Sequence, residues 1–366
     1  MTFKTILALV LSLLISGIPS FGQVRPTHNT ILERNIRAEL GFLASDAMQG
    51  RGSGTGFERL AAEYIGSQFR QFGLQPGGDT DSTGQKGFVQ RVALSSARFT
   101  EPPTLSRSKE AIDEIATMPA GSKVKFGGTT RSTGEASTWN AVGILRGSDP
   151  KASKEAIMLS AHLDHLGVME NPPAGSDAIF NGADDDASGC VAVLELARAL
   201  ASGKRPRRTI YFVCFGSEER GGYGAQYFVA HSPVPLSRIV ADITFEMIGR
   251  PDANVPPNTL WLTGYERSNL GPEMAKEGAL LVADPHPEQQ FFQRSDNYTL
   301  ALRGVVAHTI SSFGLHADYH RPSDDISKID FPFMTRSINS LLKPIRWLAN
   351  STFKPSWLPG KAPTRG

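Results

Sequence analysis

Five segments that lie far apart in the sequence carry side chains able to bind a metal ion. They contain His162 and Asp164, the aspartates at 184–186, the pair Glu218 and Glu219, then Glu246 and finally His320. Imidazole nitrogens combined with carboxylate oxygens suit zinc or a similar borderline ion, whereas calcium prefers oxygen ligands alone. Because the carboxylates outnumber those that one zinc ion needs, the sequence predicts two ions that share a bridging carboxylate.

The three adjacent aspartates at 184–186 precede a predicted helix. Side by side, their charges repel one another unless a cation or a helix N-terminus offsets them. Asp186 is placed to accept N–H groups at the helix start. Helix capping leaves Asp184 and Asp185 unexplained, and we assign Asp185 to metal binding.

The remaining motifs suggest complementary roles for neighbouring residues. In the pair Glu218 and Glu219, one carboxylate can bind metal while the other reaches a water molecule. His162 precedes Asp164 by two residues, and a ligating imidazole needs a carboxylate or carbonyl group on its other nitrogen to fix its tautomer.

Apolar periodicity predicts the elements that position these residues. We predict helices at 27–45 and 57–73, a loop at 77–87 and an irregular insertion at 96–137. Predicted strands then lie at 141–146, 156–161, 208–215, 239–247, 260–264 and 304–310, and predicted helices at 187–202, 222–231, 271–281, 295–303 and 333–350. Strands that alternate with helices predict an α/β three-layer sandwich around a largely parallel mixed sheet with helices on both faces.

The candidate ligands fall at the ends of predicted strands or in the loops after them. Chemistry in such sheets gathers at the carboxyl ends of the strands, so this placement favours one shared site.

Composition limits the kind of protein. The chain has 366 residues, 40% apolar and 20% charged, with a net charge of +2, which is typical of a soluble globular protein and gives no global field for nucleic acid. Residues 1–22 have a positive charge, a short apolar run and small residues, as in a secretory signal peptide. We therefore expect an exported protein with a single domain over 23–355, a flexible tail at 356–366 and no stable membrane anchor after cleavage.

Together the motifs resemble those of the zinc aminopeptidase family called peptidase family M28. The resemblance rests on His-x-Asp at 162–164, Gly-Ala-Asp-Asp-Asp-Ala-Ser-Gly at 182–189, Glu-Glu at 218–219 and Tyr-His at 319–320, and it covers about 30–345.

The resemblance implies a zinc-exopeptidase-like fold and a centre of two Zn²⁺ ions. One ion would be held by His162 and Glu246, the other by Glu219 and His320, with Asp185 bridging them. It also implies that Glu218 is the general base and that Asp164 is the partner of His162.

The chain departs from the family pattern in three places. Glu246 stands where the family usually has Asp, and it still supplies carboxylate oxygens. Asn297 ends a Ser-Asp-Asn segment that is Ser-Asp-His in the family. The insertion at 96–137 is too short for the protease-associated domain of many secreted relatives, so we expect a single catalytic domain.

The expected function is hydrolysis of peptides at their N-termini. Arg294 and Arg321 lie near the motifs and leave a carboxypeptidase or dipeptidase open, since a guanidinium can bind a free carboxylate. A glutaminyl cyclase, which is related by fold and uses one zinc ion, is a second alternative, and a non-catalytic interaction protein is a third. The sequence does not indicate an oligomeric state.

Other residues receive simpler interpretations. We expect His165, His308 and His316 to be structural or to line a pocket. Asp324 or Asp325 is a candidate for orienting the imidazole of His320.

Overall fold

The computed structural model describes residues 30–93 and 137–364. The expected signal peptide at 1–22 and nearly all of the expected insertion at 96–137 lie outside the described residues. In the part of the chain that the structure describes, no helix has the length and apolar character needed to cross a membrane.

Four adjacent parallel strands form the centre of the fold. They are β4 (Ala156–His162), β7 (Thr209–Phe215), β8 (Ile239–Phe245) and β11 (Ala307–Ser311), which lie in the order β7-β4-β8-β11. Every residue of β4 and β7 is buried, so both faces of the sheet are covered.

Antiparallel strands complete a nine-stranded mixed sheet. On one side, β3 (Ser137–Leu145) pairs with β7 and carries β1 (Gln75–Pro76) and β2 (Val89–Ala93); on the other, β9 (Leu260–Leu262) pairs with β11 and carries β10 (Leu281–Ala283). Strands β5 (Gly167–Val168) and β6 (Ile179–Phe180) form a separate two-stranded sheet.

Helices cover both faces, and this confirms the predicted fold class. They are α1 (Glu33–Leu43), α2 (Gly56–Gln71), α3 (Gly189–Ala201), α4 (Tyr223–Ala230), α5 (Leu270–Lys276), α6 (Asn297–Ala301) and α7 (Phe331–Asn350). The larger apolar core joins α1, α2, α3, α5 and α7 to one face, where Ile157 and Leu159 point. A second core joins α4 and α6 to the opposite face, where Met158 points, as the alternation of side chains along a strand requires.

The main strands and helices lie close to their predicted positions, but short elements were missed. The helix predicted at 271–281 ends at Lys276, because Gly278 with a φ of 103° turns the chain into β10. Strands β1 and β10 have only two and three residues, too few to show a period.

One buried carboxyl group lies inside the sheet. Asp242 on β8 is completely buried and accepts hydrogen bonds from the hydroxyl groups of Ser160 at 2.9 Å and Thr244 at 3.1 Å. Burial raises the pKa of Asp242 to about 7, against the opposing effect of these hydrogen bonds. The folded protein therefore keeps a proton that the unfolded chain loses at lower pH.

We predict that Asp242→Asn removes a component of the pH dependence of stability. The raised pKa of Asp242 contributes to the free energy of unfolding, and this contribution is complete below about pH 4. Between about pH 4 and pH 7 it falls by about 1.4 kcal/mol per pH unit, because the folded protein keeps a proton that the unfolded chain has lost. Denaturant titrations at pH 5 and pH 7 should show that the free energy of unfolding of the wild type falls relative to that of the variant. The exposed Glu170→Gln is the control, and equal pH slopes for Asp242→Asn and wild type would contradict the prediction.

Candidate metal centre

The parallel strands bring the predicted residues to one edge of the sheet. His162 is the last residue of β4, Glu218 and Glu219 lie in the turn after β7, Glu246 follows β8 directly, and His320 lies in the loop after β11. Since these four strands are parallel neighbours, their carboxyl ends meet at the same edge. Asp185 joins them from the irregular segment Ala183–Ser188, which precedes α3.

Asp185 lies between two imidazole groups. Its Oδ1 is 3.1 Å from Nε2 of His162, and its Oδ2 is 3.1 Å from Nε2 of His320. Oε1 of Glu219 is 3.2 Å from the same nitrogen of His320. The two oxygens of Asp185 therefore face two different imidazole groups, and Glu219 lies beside the second.

These polar atoms are buried, and several have no hydrogen-bond partner among the described residues. They are Oδ2 of Asp185, Oε1 of Glu219, Oε2 of Glu246 and both ring nitrogens of His165. Buried polar atoms are rarely left without a partner, and carboxylates gathered in a buried site need a compensating cation. The donor set of imidazole and carboxylate therefore fits zinc.

The site separates the carboxyl groups by their affinity for protons. Burial and the neighbouring Glu219 act to raise the pKa of Asp185, but the imidazoles of His162 and His320 outweigh them and lower it. For Glu218, burial dominates and raises the pKa well above its ordinary value. Burial likewise raises the pKa of Glu246. A carboxyl group with a raised pKa is suited to proton transfer near neutral pH.

Asp164 joins the turn after β4 to the turn after β7. Its carboxylate accepts the backbone N–H groups of Glu218 at 3.0 Å and Glu219 at 3.3 Å, together with the hydroxyl of Ser53. Nδ1 of His162 lies 3.2 Å from the backbone carbonyl oxygen of Asp164 and 3.6 Å from its carboxylate. The expected pairing with His162 therefore involves the carbonyl group of Asp164, while its carboxylate holds the neighbouring turn.

The other two aspartates of the 184–186 run organise the backbone. Asp186 accepts the N–H of Gly189 at the start of α3, as predicted, and also those of His162 and Met247. Asp184 accepts the N–H of Gly249 at 2.8 Å. Of the three aspartates, Asp185 is the one whose carboxylate faces the candidate ligands.

The three histidines that we expected to be structural or to line a pocket have different positions. His308 is structural, because its ring nitrogens lie 2.7 Å from the carbonyl oxygen of Thr263 and 2.7 Å from the hydroxyl of Ser268. His316 lies 3.0 Å from the carboxylate of Asp184. His165, which we expected to be structural or to line a pocket, forms a group of possible metal ligands with Asp185 and Glu219.

Neither aspartate proposed as a partner of His320 contacts its ring. Asp324 accepts the backbone N–H groups of Asp184 and Asp185, and Asp325 caps the short helix Ile326–Lys328. Asp324 therefore positions the backbone of Asp185.

Two buried charged residues near the N-terminus support the site, and the sequence reasoning missed both. Arg51 donates to four backbone carbonyl groups, those of Leu43, Leu163, Asn181 and Gly182. Glu58 accepts the N–H groups of Gly54 and Ser217. Arg51 thus clamps the segments that carry His162 and Asp185, and Glu58 fixes the turn before Glu218. Most of their partners are distant in sequence, so no local pattern could reveal these contacts.

An aromatic cavity adjoins Glu246. Its lining includes Met247, Trp261, Phe291, Phe313 and Tyr319, together with small polar residues and Arg294. The guanidinium of Arg294 lies 4.9 Å from the centroid of the Phe291 ring. The cavity offers an apolar surface beside the candidate ligands.

Parts of several known proteins are similar in sequence to this chain. A probable zinc metalloprotease of Leptosphaeria maculans is 41% identical over 110 residues, which are 30% of this chain and 24% of that protein. Leucine aminopeptidase 1 of Emericella nidulans is 34% identical over 28% of this chain and 26% of its own length. The chain thus spans about a quarter of these relatives.

Solved structures with a similar fold align over most of their lengths. The aminopeptidase from Aneurinibacillus sp. strain AM-1 has a TM-score of 0.60 and 16% identity, and the match covers 93% of this chain and 99% of that one. A zinc aminopeptidase from Bacillus subtilis has a TM-score of 0.60 and 17% identity, with coverage of 92% and 99%. The glutaminyl cyclase of Porphyromonas gingivalis has a TM-score of 0.57 and 17% identity, with coverage of 87% and 98%.

The family model described as peptidase family M28 matches residues 140–343. The match takes in the segments that carry all the candidate ligands and more than half of the 366 residues. Its extent confirms the resemblance that the motifs suggest: the chain belongs to peptidase family M28.

Proposed function

We propose that this protein is a zinc-dependent aminopeptidase that releases single residues from the N-termini of peptides. The observation that carries the proposal is the position of Asp185, whose two oxygens each lie 3.1 Å from a different imidazole nitrogen. A carboxylate in that position can bridge two ions. Membership of the family and the partial similarity to a leucine aminopeptidase support the same conclusion.

Two zinc ions would be held by five residues. We assign His162 and Glu246 to one ion, Glu219 and His320 to the other, and Asp185 to both. When bound, the ions would polarise the scissile carbonyl group and make a water molecule more acidic.

Glu218 is the proposed general base. Its backbone is fixed by Asp164, and burial raises the pKa of its side chain. Glu218 would take a proton from the attacking water and then donate that proton to the amine nitrogen that leaves. Asp164 acts as a positioning residue, because its carboxylate holds the turn and its carbonyl group faces the ring of His162.

The aromatic cavity beside Glu246 is the proposed site for the side chain of the terminal residue. Met247, Trp261 and Phe313 form one apolar cluster at this position. Burial of a leucine-sized side chain in such a cavity is worth about 1.5–3 kcal/mol. Apolar terminal residues should therefore be preferred.

Export is part of the proposal. The support is the pattern of residues 1–22, in which Lys4 precedes a short apolar run, as in secretory signal peptides. The substrates would then be peptides outside the cytoplasm.

We expect Glu218→Gln to lower kcat by about 10²–10⁴-fold, because the amide cannot accept the proton of the attacking water. Elemental analysis should still find two zinc ions per chain, since Glu218 is assigned no metal. Glu170→Gln, an exposed change of the same chemistry, is the matched control. Full activity of Glu218→Gln would refute its role.

The apolar cavity predicts the order of preferred substrates. For aminoacyl 4-nitroanilides, kcat/KM should be at least about 10-fold higher for leucine than for aspartate, given the free energy of burying an apolar side chain. Steady-state kinetics of leucine, alanine and aspartate derivatives provide the measurement. Equal or faster cleavage of the aspartate derivative would contradict this use of the cavity.

Substitution of Arg294 distinguishes aminopeptidase activity from carboxypeptidase activity. Arg294 is exposed and forms part of the cavity lining, and in a carboxypeptidase it would bind the free carboxylate of the substrate. We expect Arg294→Ala to cleave leucine 4-nitroanilide almost as fast as the wild type. We also expect N-blocked dipeptides to be poor substrates for both the wild type and the variant.

Cleavage of N-blocked dipeptides that falls about 10-fold or more in Arg294→Ala would instead identify a carboxypeptidase. Release of pyroglutamate from N-terminal glutamine by a protein with one zinc ion would identify a cyclase. Either result would overturn the proposed activity.

A further inference from the structure

The ring of His165 lies inside the proposed metal centre, although the sequence motifs assign it no role there. Its side chain is completely buried. Nδ1 lies 2.9 Å from Oε1 of Glu219 and 3.9 Å from Oδ2 of Asp185. The ring also meets the ring of His320 edge-on, with centroids 5.8 Å apart.

Four possible ligand atoms therefore lie on this side of Asp185. They are Nδ1 of His165, Nε2 of His320, Oε1 of Glu219 and Oδ2 of Asp185, and the measured separations are 2.9, 3.1, 3.2 and 3.9 Å. A tetrahedral zinc site with bonds of about 2.0 Å has ligand atoms roughly 3.3 Å apart. These four of the six separations, 2.9 to 3.9 Å, lie on either side of that value.

The direction of the contacts also points to a shared cation. Nδ1 of His165 is close to Oε1 of Glu219, yet neither atom has an aligned hydrogen bond, and Oδ2 of Asp185 has none. Because the approach is short but no N–H group is aligned with it, no hydrogen bond compensates for the burial of these atoms. Such an arrangement is costly in a buried site unless a cation lies between the atoms.

The backbone around His165 holds the ring in this place. Its N–H donates to the carbonyl of Arg51 at 3.1 Å, and its carbonyl accepts from Ser53 at 3.3 Å. Gly182 leaves room for the ring, because a Cβ there would lie 2.6 Å from the His165 ring and 2.2 Å from the carbonyl oxygen of Asp185. The position of the ring is thus fixed from two sides.

We propose that His165 is a sixth ligand of the centre and completes a four-ligand site with Glu219, His320 and the bridging Asp185. The inference rests on the zinc centre of the proposed function. The site would be closed by protein ligands, as structural zinc sites are, whereas His162, Glu246 and Asp185 leave an open position at the other ion. The two ions would therefore differ in affinity, and the substrate and the attacking water would meet the protein on the His162 side.

Metal titration of the purified, metal-free protein tests this assignment. Wild type should bind Co²⁺ in two steps, and the first equivalent should give the strong visible absorption of a tetrahedral site. His165→Ala should weaken that step by more than about 100-fold, beyond the about 10- to 100-fold typical of removing an outer partner of a ligand. His231→Ala is the matched control, because His231 is exposed.

A second variant distinguishes a ligand from a hydrogen-bond donor. The amide nitrogen of asparagine can occupy the place of Nδ1 and donate to Glu219, but an amide is a poor zinc ligand. We expect His165→Asn to lose the tight site as His165→Ala does. Thermal unfolding of both metal-free variants should match that of metal-free wild type, so that a loss of metal is not mistaken for a loss of fold.

Two results would overturn the assignment. One is binding of both Co²⁺ equivalents to His165→Ala with the affinity and spectrum of wild type, and the other is full recovery of the tight site in His165→Asn. In either case the proposed function would remain supported if the wild-type protein bound two zinc ions and cleaved leucine 4-nitroanilide. If the wild-type protein bound no metal, both the proposed function and the assignment of His165 would be refuted.

Discussion

The structure depends on bringing several carboxylates together in a place with little water. Asp185, Glu218, Glu219 and Glu246 meet at one edge of the sheet, and two unit charges 4 Å apart repel by about 4 kcal/mol at an effective dielectric constant of 20. The three neighbouring imidazoles reduce this repulsion but do not satisfy the buried oxygens. The buried hydrogen bonds and the positive-φ residues around the site hold these groups in place.

The protein holds them mainly through backbone groups. Asp164, Asp186 and Asp324 each accept two or more backbone N–H groups, and each joins turns from different parts of the chain. Ser217 and Met247, beside the proposed base and a proposed ligand, adopt positive φ angles of 54° and 52°. Backbone in this region costs free energy and persists where surrounding contacts determine it. The polar network thus sets the directions of the side chains that face the centre.

The sequence predicted the fold and most of the cluster because both follow from local patterns. Apolar runs such as 208–215 identify buried strands, and parallel neighbours must bring their carboxyl ends together. The supporting residues were not predictable in this way. Arg51 and Glu58 contact segments more than 70 residues away, and an arginine or glutamate near an N-terminus ordinarily lies at the surface. His165 follows His162 by three residues, and only tertiary contacts, with Glu219 and with Gly182, distinguish it from a pocket-lining histidine.

The hydrogen bonds of Arg51 show that residues outside the family match contact the segments that carry the proposed ligands. The family match starts at residue 140, and every proposed ligand lies beyond that point. Yet the guanidinium that ties the two ligand-bearing segments together comes from residue 51, and the carboxylate beneath the turn of the proposed base comes from residue 58. A chain trimmed to the family match would therefore keep the proposed ligands but lose the buried contacts that Arg51 and Glu58 make with their segments.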